Sequence, residues 1–167
     1  MKVIKDLTLI AIFAAVIVVS ELVLYFLPNI QITFLLIVLF SKILGFKKTS
    51  LLLLIYVLID NLIMGGITLY VPFVYVALLI IPLTLNTVFK SIDDPFKLAL
   101  LGILYSFIYS WIYLIATVIL TNIDFIAYLT ADIIFEILLA GSTFLSILWL
   151  YNPLYKFLNN RLNESKY

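Results

Sequence analysis

The sequence predicts an all-α integral membrane protein, a bundle of six transmembrane helices with both termini in the cytoplasm. Three observations support this prediction: the composition, the spacing of the apolar runs and the placement of the basic residues. Of the 167 residues, 66% are hydrophobic and 11% are charged. Soluble domains carry about 25% charged residues, and one soluble core cannot cover this much apolar surface in so short a chain. Lipid is therefore expected to surround much of the protein.

Six apolar runs form the predicted spans, and the whole chain, residues 1–167, is read as a single domain. In chain order the spans are residues 7–27, 30–44, 49–64, 70–89, 96–120 and 128–150. They are separated by segments rich in Pro, Gly, Asn or Asp, which favour turns. The second and third runs are shorter than the roughly 20 residues that cross a bilayer, so they are expected to pack inside the bundle.

All ten basic residues fall on one side of this six-span arrangement. They are Lys2, Lys5, Lys42, Lys47, Lys48, Lys90, Lys97, Lys156, Arg161 and Lys166. The three connections on the other side contain no Lys or Arg. Since basic residues are enriched in cytoplasmic loops, both termini are predicted to be cytoplasmic. An odd number of spans would place one terminus, with its lysines, outside the cell.

The acidic residues are distributed differently from the basic ones. Those among the cytoplasmic basic residues are Asp6, Asp93, Asp94 and Glu164. Those on the outer side are Glu21, Asp60, Asp124, Asp132 and Glu136, all within spans except Asp124. A carboxyl group inside a span costs at least ~2.5–3.5 kcal/mol and usually faces a cavity or a partner. Any one of these acids could equally well be a neutral group that forms a hydrogen bond between two helices. The set of acids as a whole favours an outward-facing polar cavity.

Aromatic and amide side chains accompany these acids. Asp132 and Glu136 are four residues apart and therefore share one face of the sixth span. Tyrosines recur every four residues along the fifth span, and Trp111 is expected to lie off that stripe. Such stripes more often serve packing, but this one runs outward from mid-span, where hydroxyl groups need partners. The candidate substrate-binding residues are Glu21, Asp60, Asn61, Tyr105, Tyr109, Tyr113, Asp132 and Glu136.

A pair of small residues on the first span carries a resemblance to a known family. Ala11 and Ala15 are four residues apart, a spacing that lets another helix approach closely. Together with 167 residues, six spans and internal termini, this pair resembles the substrate-binding S component of energy-coupling-factor (ECF) vitamin transporters. The segment 28–66, which begins with Asn-Ile-Gln at 29–31 and ends near Asp60 and Asn61, also looks like members of that family.

The resemblance implies a subunit of an ABC importer in the cell (inner) membrane of a prokaryote. It would capture a vitamin or related micronutrient outside and dock through Ala11 and Ala15 on a transmembrane coupling subunit with two cytoplasmic ATPases. The substrate would lie in the outer half, between spans four to six. The surplus of carboxyl groups and Tyr rings favours a planar, cationic or amine-bearing substrate such as thiamine, a pyridoxine-type vitamer or a basic nucleobase.

Several classes of function are disfavoured by the sequence. The chain has no Cys and no His, and it shows no nucleophile motif or phosphate-binding loop. No catalytic residue, metal, cofactor or nucleic-acid partner is therefore predicted. The main alternative is an MreD-like structural scaffold without a small-molecule ligand, and a small secondary transporter is a third reading. The scaffold and the S component are distinguished by whether Glu21, Asp60, Asp132 and Glu136 line one cavity or point to separate neighbours.

Overall fold

The computed structural model describes residues 2–164 of the chain, and the side chains of residues 4–162. Lys166 lies outside the described residues, as do the side chains of Lys2 and Glu164. The described chain is all-helical, as predicted. Its helices are α1 (Lys2–Leu24), α2 (Thr33–Leu44), α3 (Phe46–Ile63), α4 (Val71–Asn86), α5 (Pro95–Thr121) and α6 (Phe125–Glu164). Three of them, α1, α5 and α6, are long and apolar enough to cross a membrane.

The central element is α2, which contacts each of the other five helices. All of its residues from 33 to 41 are buried. A helix that is apolar on every side must be enclosed by protein or lipid, and here the other helices enclose it. The enclosing helices contact one another in the order α1, α3, α4, α5, α6. Within the described residues α1 and α6 do not contact each other, so this ring is open between them.

The connection between α1 and α2, residues 25–32, reaches α6 beside this opening. The Ser142 hydroxyl donates a hydrogen bond to the Asn29 carbonyl at 3.3 Å and accepts one from the Gln31 amide at 3.5 Å. These are long bonds between a loop and a helix that is distant in sequence. They place an irregular segment of chain against the middle of α6.

The hairpin of α5 and α6 is packed closely at Gly102. A Cβ atom at this position would lie 2.6 Å from Ile147 Cδ1 and 2.8 Å from Thr143 Cγ2, so only glycine fits without displacement. One helical turn further along α5, the Ser106 hydroxyl donates to Thr143 Oγ1 at 3.0 Å. Small residues of this kind let two helix backbones approach each other.

One end of the bundle, here called the lysine end, carries two ion pairs. Lys42 lies 3.0 Å from Asp93, and its ammonium also donates to the Lys90 carbonyl at 3.0 Å. Lys48 lies 2.7 Å from Asp6, which joins the first turns of α1 and α3. The connection between α2 and α3, at Gly45, lies at this same end. The positive φ of Gly45, 77°, suits a residue without a Cβ atom.

Candidate functional site

A pair of carboxyl groups from different helices forms the centre of the candidate site. Glu21 lies on the buried face of α1 that also carries Ala14 and Ile17. Asp60 lies one turn after Tyr56 on α3, so these two side chains share a face. The carboxyl groups of Glu21 and Asp60 are neighbours, close enough to interact with each other. The packing of α1 against α3 therefore brings together two acids that are far apart in sequence.

Two hydroxyl groups bind the Glu21 carboxylate. Its Oε1 atom accepts a hydrogen bond from the Tyr56 hydroxyl at 2.7 Å and another from Thr33 Oγ1 at 2.9 Å. Thr33 is the first residue of α2, and the residue before it, Ile32, provides no side-chain cap. The first turn of a helix carries unpaired N–H groups and a partial positive charge. The Glu21 carboxyl group thus lies at the N-terminal end of the central helix, bonded to its first residue.

A cavity of about 260 Å³ opens beside this pair. Its volume corresponds to about nine water molecules at about 30 Å³ each, which suits a small ligand. Most of its wall comes from the connection between α1 and α2. The lining residues are Glu21, Leu24, Tyr25, Leu27, Pro28, Asn29, Ile30, Gln31, Asp60 and Met64. The cavity wall therefore combines carboxyl and amide groups with aliphatic and aromatic ones.

Two of the residues predicted to bind substrate make structural contacts in the fold. The Asn61 amide donates to the Val57 carbonyl at 2.9 Å, and its Oδ1 atom accepts a long hydrogen bond from Thr68 at 3.5 Å. Asn61 therefore braces the turn after α3. Tyr105 is buried and shares a hydrogen bond of 2.7 Å with Thr84 on α4. Neither residue is among those that line the cavity.

The other two tyrosines of the stripe lie in different surroundings. Tyr109 packs edge-on against Phe34, with ring centroids 5.6 Å apart, and is close enough to Glu21 and Asp60 to interact electrostatically. Tyr113 stacks on Tyr70, with centroids 5.1 Å apart. The stripe therefore runs from a packing position, past the carboxyl pair, to a separate aromatic cluster.

The second pair of acids, Asp132 and Glu136, lies at the seam between α5 and α6. Glu136 is 1% exposed, and its Oε2 atom accepts a long hydrogen bond, 3.4 Å, from the Trp111 indole. The Oε1 atom has no hydrogen-bond partner among the described residues. Asp132 is half-buried one turn away, near Tyr113 and Tyr128. Trp111 lies off the tyrosine stripe as expected, but its contact with Glu136 was not predicted.

The four carboxyl groups within predicted spans therefore form two pairs. Glu21 and Asp60 line the cavity, whereas Asp132 and Glu136 are absent from its lining residues. Tyr109 and Tyr113, adjacent turns of α5, lie between the pairs and interact with one another. Of the eight residues predicted to bind substrate, two line the cavity, two lie at the seam, two make packing contacts, and Tyr109 and Tyr113 lie between the two acid pairs.

Ala11 and Ala15 lie on the surface of α1 that faces away from the bundle. Both are exposed, as is Ile12 between them, whereas Ala14 is fully buried. The small-residue pair is therefore accessible to another helix.

Sequence reasoning missed the two hydroxyl donors of the site. Tyr56 is four residues before Asp60, and this spacing was a signal that could have identified it. Nothing along the chain connects Thr33 with Glu21, because their contact depends on where the connection 25–32 places the start of α2.

Comparisons of the chain with family models, with curated proteins and with solved structures find no match. Among the described residues, no group of three or more His, Cys, Asp or Glu side chains could hold a metal ion.

Proposed function

We propose that the protein is a six-span membrane protein that captures a small amine-bearing molecule outside the cell, as the S subunit of an ECF-type ABC importer. The observation that carries the proposal is the Glu21–Asp60 carboxyl pair at the wall of a small cavity. Neither residues 6–41 nor residues 49–89 contain Lys or Arg, so these two stretches supply no cation to either acid. A bound amine or cation would provide the missing positive charge.

The orientation follows from the ion pairs of the lysine end. At this end Lys42 pairs with Asp93 of the α4–α5 connection, and Lys48, just after the α2–α3 connection, pairs with Asp6. The positive-inside rule assigns this end to the cytoplasm. The cavity, which lies at the connection between α1 and α2, then faces the outer half of the membrane. An outward-facing cavity is what a subunit for substrate capture requires.

The chemistry of the wall favours a small ligand with one polar, positively charged end. Carboxylates complement an ammonium group or a protonated ring, and the nearby Tyr109 ring suits a planar cation. Leu24, Leu27 and Ile30 can cover an apolar body. Thiamine, its pyrimidine precursor, a pyridoxine-type vitamer and a basic nucleobase remain the proposed substrate classes.

Energy for release would come from partner subunits, because the sequence contains no phosphate-binding loop. We place the docking surface for a transmembrane coupling subunit, with its two cytoplasmic ATPases, at Ala11 and Ala15. Both residues are exposed on α1 and leave room for a neighbouring helix backbone.

Co-purification from native membranes tests the proposal directly. We expect the chain to retain an ATPase-bearing module, and we expect Ala11→Trp or Ala15→Trp to release that module without loss of amine binding. Leu104→Trp, at an exposed position of α5, is the matched control and should retain the module. Purified protein that binds biotin or pantothenate but no amine would contradict the proposed substrate class.

The second candidate function is an MreD-like structural scaffold without a small-molecule ligand. One observation favours it: Asp132 and Glu136 do not line the cavity, as expected for groups that hold partner helices. In that case co-purification would yield cell-shape proteins instead of ATPases, and no small amine would bind.

A further inference from the structure

We propose that the two acids of the cavity have different roles: Asp60 binds the ammonium group of a monoamine ligand, and Glu21 positions the N-terminus of α2. This proposal rests on the function proposed above and specifies the chemistry of its binding site. Asp60 is thereby the residue that determines specificity. Glu21 acts on the ligand only through the helix that it holds.

The contacts of Glu21 are those of a structural carboxylate. Its Oε1 atom already accepts two hydrogen bonds from neutral hydroxyl groups, at 2.7 and 2.9 Å. One donor, Thr33, opens α2, whose preceding residue provides no side-chain cap. Helix N-termini favour a nearby negative charge. The Glu21 carboxyl group is therefore bonded within the protein, by Thr33 at the start of α2 and by Tyr56 on α3.

The position of the α2 N-terminus explains why it needs such a partner. From Asp6, paired at the lysine end, α1 continues for 18 residues to Leu24, which is about 27 Å at 1.5 Å per residue. From the lysine end, α2 rises only 12 residues, about 18 Å. The connection 25–32 must therefore return about 9 Å along the bundle before α2 begins.

Irregular backbone at such a depth is tolerated in membrane proteins where it is enclosed by protein or lines a polar cavity. The connection 25–32 meets the second condition, since it forms most of the cavity wall, and its Asn29 carbonyl is bonded to Ser142. A bond from Glu21 to the first residue of α2 fixes where this irregular segment ends. Because α2 contacts every other helix, this bond also fixes the cavity relative to the bundle.

The surroundings of Asp60 are different. Asp60 is half-buried, lines the same cavity, and receives no hydrogen bond from a hydroxyl or amide donor of the described residues. Its side-chain partner is the carboxyl group of Glu21, with which it shares a hydrogen bond. An ammonium group brings three donors, which Asp60 and the side-chain oxygens of Asn29 and Gln31 can accept. Asp60 is therefore the carboxyl group with free capacity for a ligand.

The ligand class follows from this division of roles. The two carboxyl groups share a hydrogen bond and therefore one proton, so the pair carries one negative charge. One positive charge on the ligand is complementary to it and two are not. The volume of about 260 Å³ and the aliphatic wall suit a compact apolar body attached to that charge. A ring with a single aminomethyl group has these properties, and benzylamine is its simplest representative.

Calorimetric titration of the purified, full-length protein in lipid nanodiscs tests the assignment. Three probes of similar shape are compared: benzylamine, the neutral benzyl alcohol and the dication 1,4-bis(aminomethyl)benzene. We expect the wild type to prefer benzylamine. Asp60→Asn should weaken benzylamine binding by about 30-fold or more, because the ammonium group of the ligand loses its carboxylate partner, and should leave the unfolding temperature unchanged. Asp124→Asn, which alters an exposed acid at the start of α6, should bind as the wild type does.

The positioning role of Glu21 is tested by a measurement that a ligand-binding role would not change, namely the accessibility of the connection 25–32. The chain has no cysteine, so Asn29→Cys introduces a unique thiol in the connection 25–32. In this background Glu21→Leu should speed labelling by a membrane-impermeant thiol reagent, because the start of α2 is released, whereas Asp60→Asn should not. Glu21→Gln keeps an acceptor for both hydroxyl groups and should retain benzylamine affinity within about threefold.

Three results would overturn the assignment. Asp60→Asn could bind benzylamine normally, Glu21→Gln could lose binding with an unchanged unfolding temperature, or the wild type could prefer the dication. Failure of the wild type to bind benzylamine would also exclude a monoamine site here. The proposed function fails separately, by the absence of an ATPase-bearing module in co-purification.

Discussion

The two pairs of carboxyl groups have the same chemistry but very different surroundings. Glu21 and Asp60 come from two helices, line a cavity, and include a carboxylate bound by two hydroxyl groups. Asp132 and Glu136 come from one helix and lie at the close seam between α5 and α6. There the Glu136 carboxyl accepts one long hydrogen bond and has an oxygen without a described partner.

This difference shows what creates a cavity in a helical bundle. Where α5 and α6 approach each other at Gly102, side chains of the facing helix already fill the space that a Cβ atom would need. The cavity lies elsewhere, where the connection 25–32 meets the ends of α1 and α3, and no residue of α6 is among its lining residues. In this protein the cavity forms beside an irregular connection, and the number of acidic residues nearby does not determine it.

The largest change in stability is expected when one carboxyl group is removed from each pair. Glu21→Leu should lower the free energy of unfolding by about 2–4 kcal/mol, because the hydroxyl groups of Tyr56 and Thr33 lose their acceptor. Glu136→Leu should be neutral or stabilising, because it removes a buried carboxyl with an unsatisfied oxygen. Thermal or denaturant unfolding in detergent measures both. Equal losses of stability in the two variants would contradict the distinction.

A smaller effect is expected from removing a single donor to the first pair. Tyr56→Phe should cost about 1–2 kcal/mol, because the 2.7 Å hydrogen bond to the Glu21 carboxylate is lost. Tyr75→Phe is the matched control: its hydroxyl makes a weaker bond, 3.3 Å, to the Ser50 carbonyl, and its loss should cost less. The unfolding midpoints of the two variants provide the measurement. An unfolding midpoint for Tyr56→Phe no lower than that of the control would argue against a structural role for Glu21.

The smallest effect concerns the donor to the second pair. Trp111→Phe should change stability by no more than about 0.5 kcal/mol, since the indole bond is 3.4 Å long and Trp111 is 57% exposed. Amine binding should be unaffected because Trp111 does not line the cavity. Trp149→Phe, also at an exposed position, serves as the control. Loss of amine binding in Trp111→Phe alone would mean that the seam, and not the cavity, contains the ligand site.

Part of the candidate site was predictable because it depends on local rules. Acids in apolar runs without basic partners can be recognised directly, and four-residue spacing correctly places Asp132 and Glu136 on one face of α6. The same rule placed the tyrosines on one stripe, yet it could not say that Tyr105 bonds to Thr84 while Tyr109 lies near Glu21. Those contacts depend on which helix packs against each turn of α5.

The sequence by itself determined the all-helical fold, the membrane character and the separation of basic residues from the buried acids. These properties follow from transfer free energies and helical periodicity, which act residue by residue along the chain. Only the tertiary structure decided that Glu21 meets Asp60, that Thr33 and Tyr56 bind Glu21, and that Glu136 lies apart from them. The physical reason is that α2 is short and central. The chain between α1 and this 12-residue helix forms most of the cavity wall, and only the packing of the helices brings that wall beside Glu21 and Asp60.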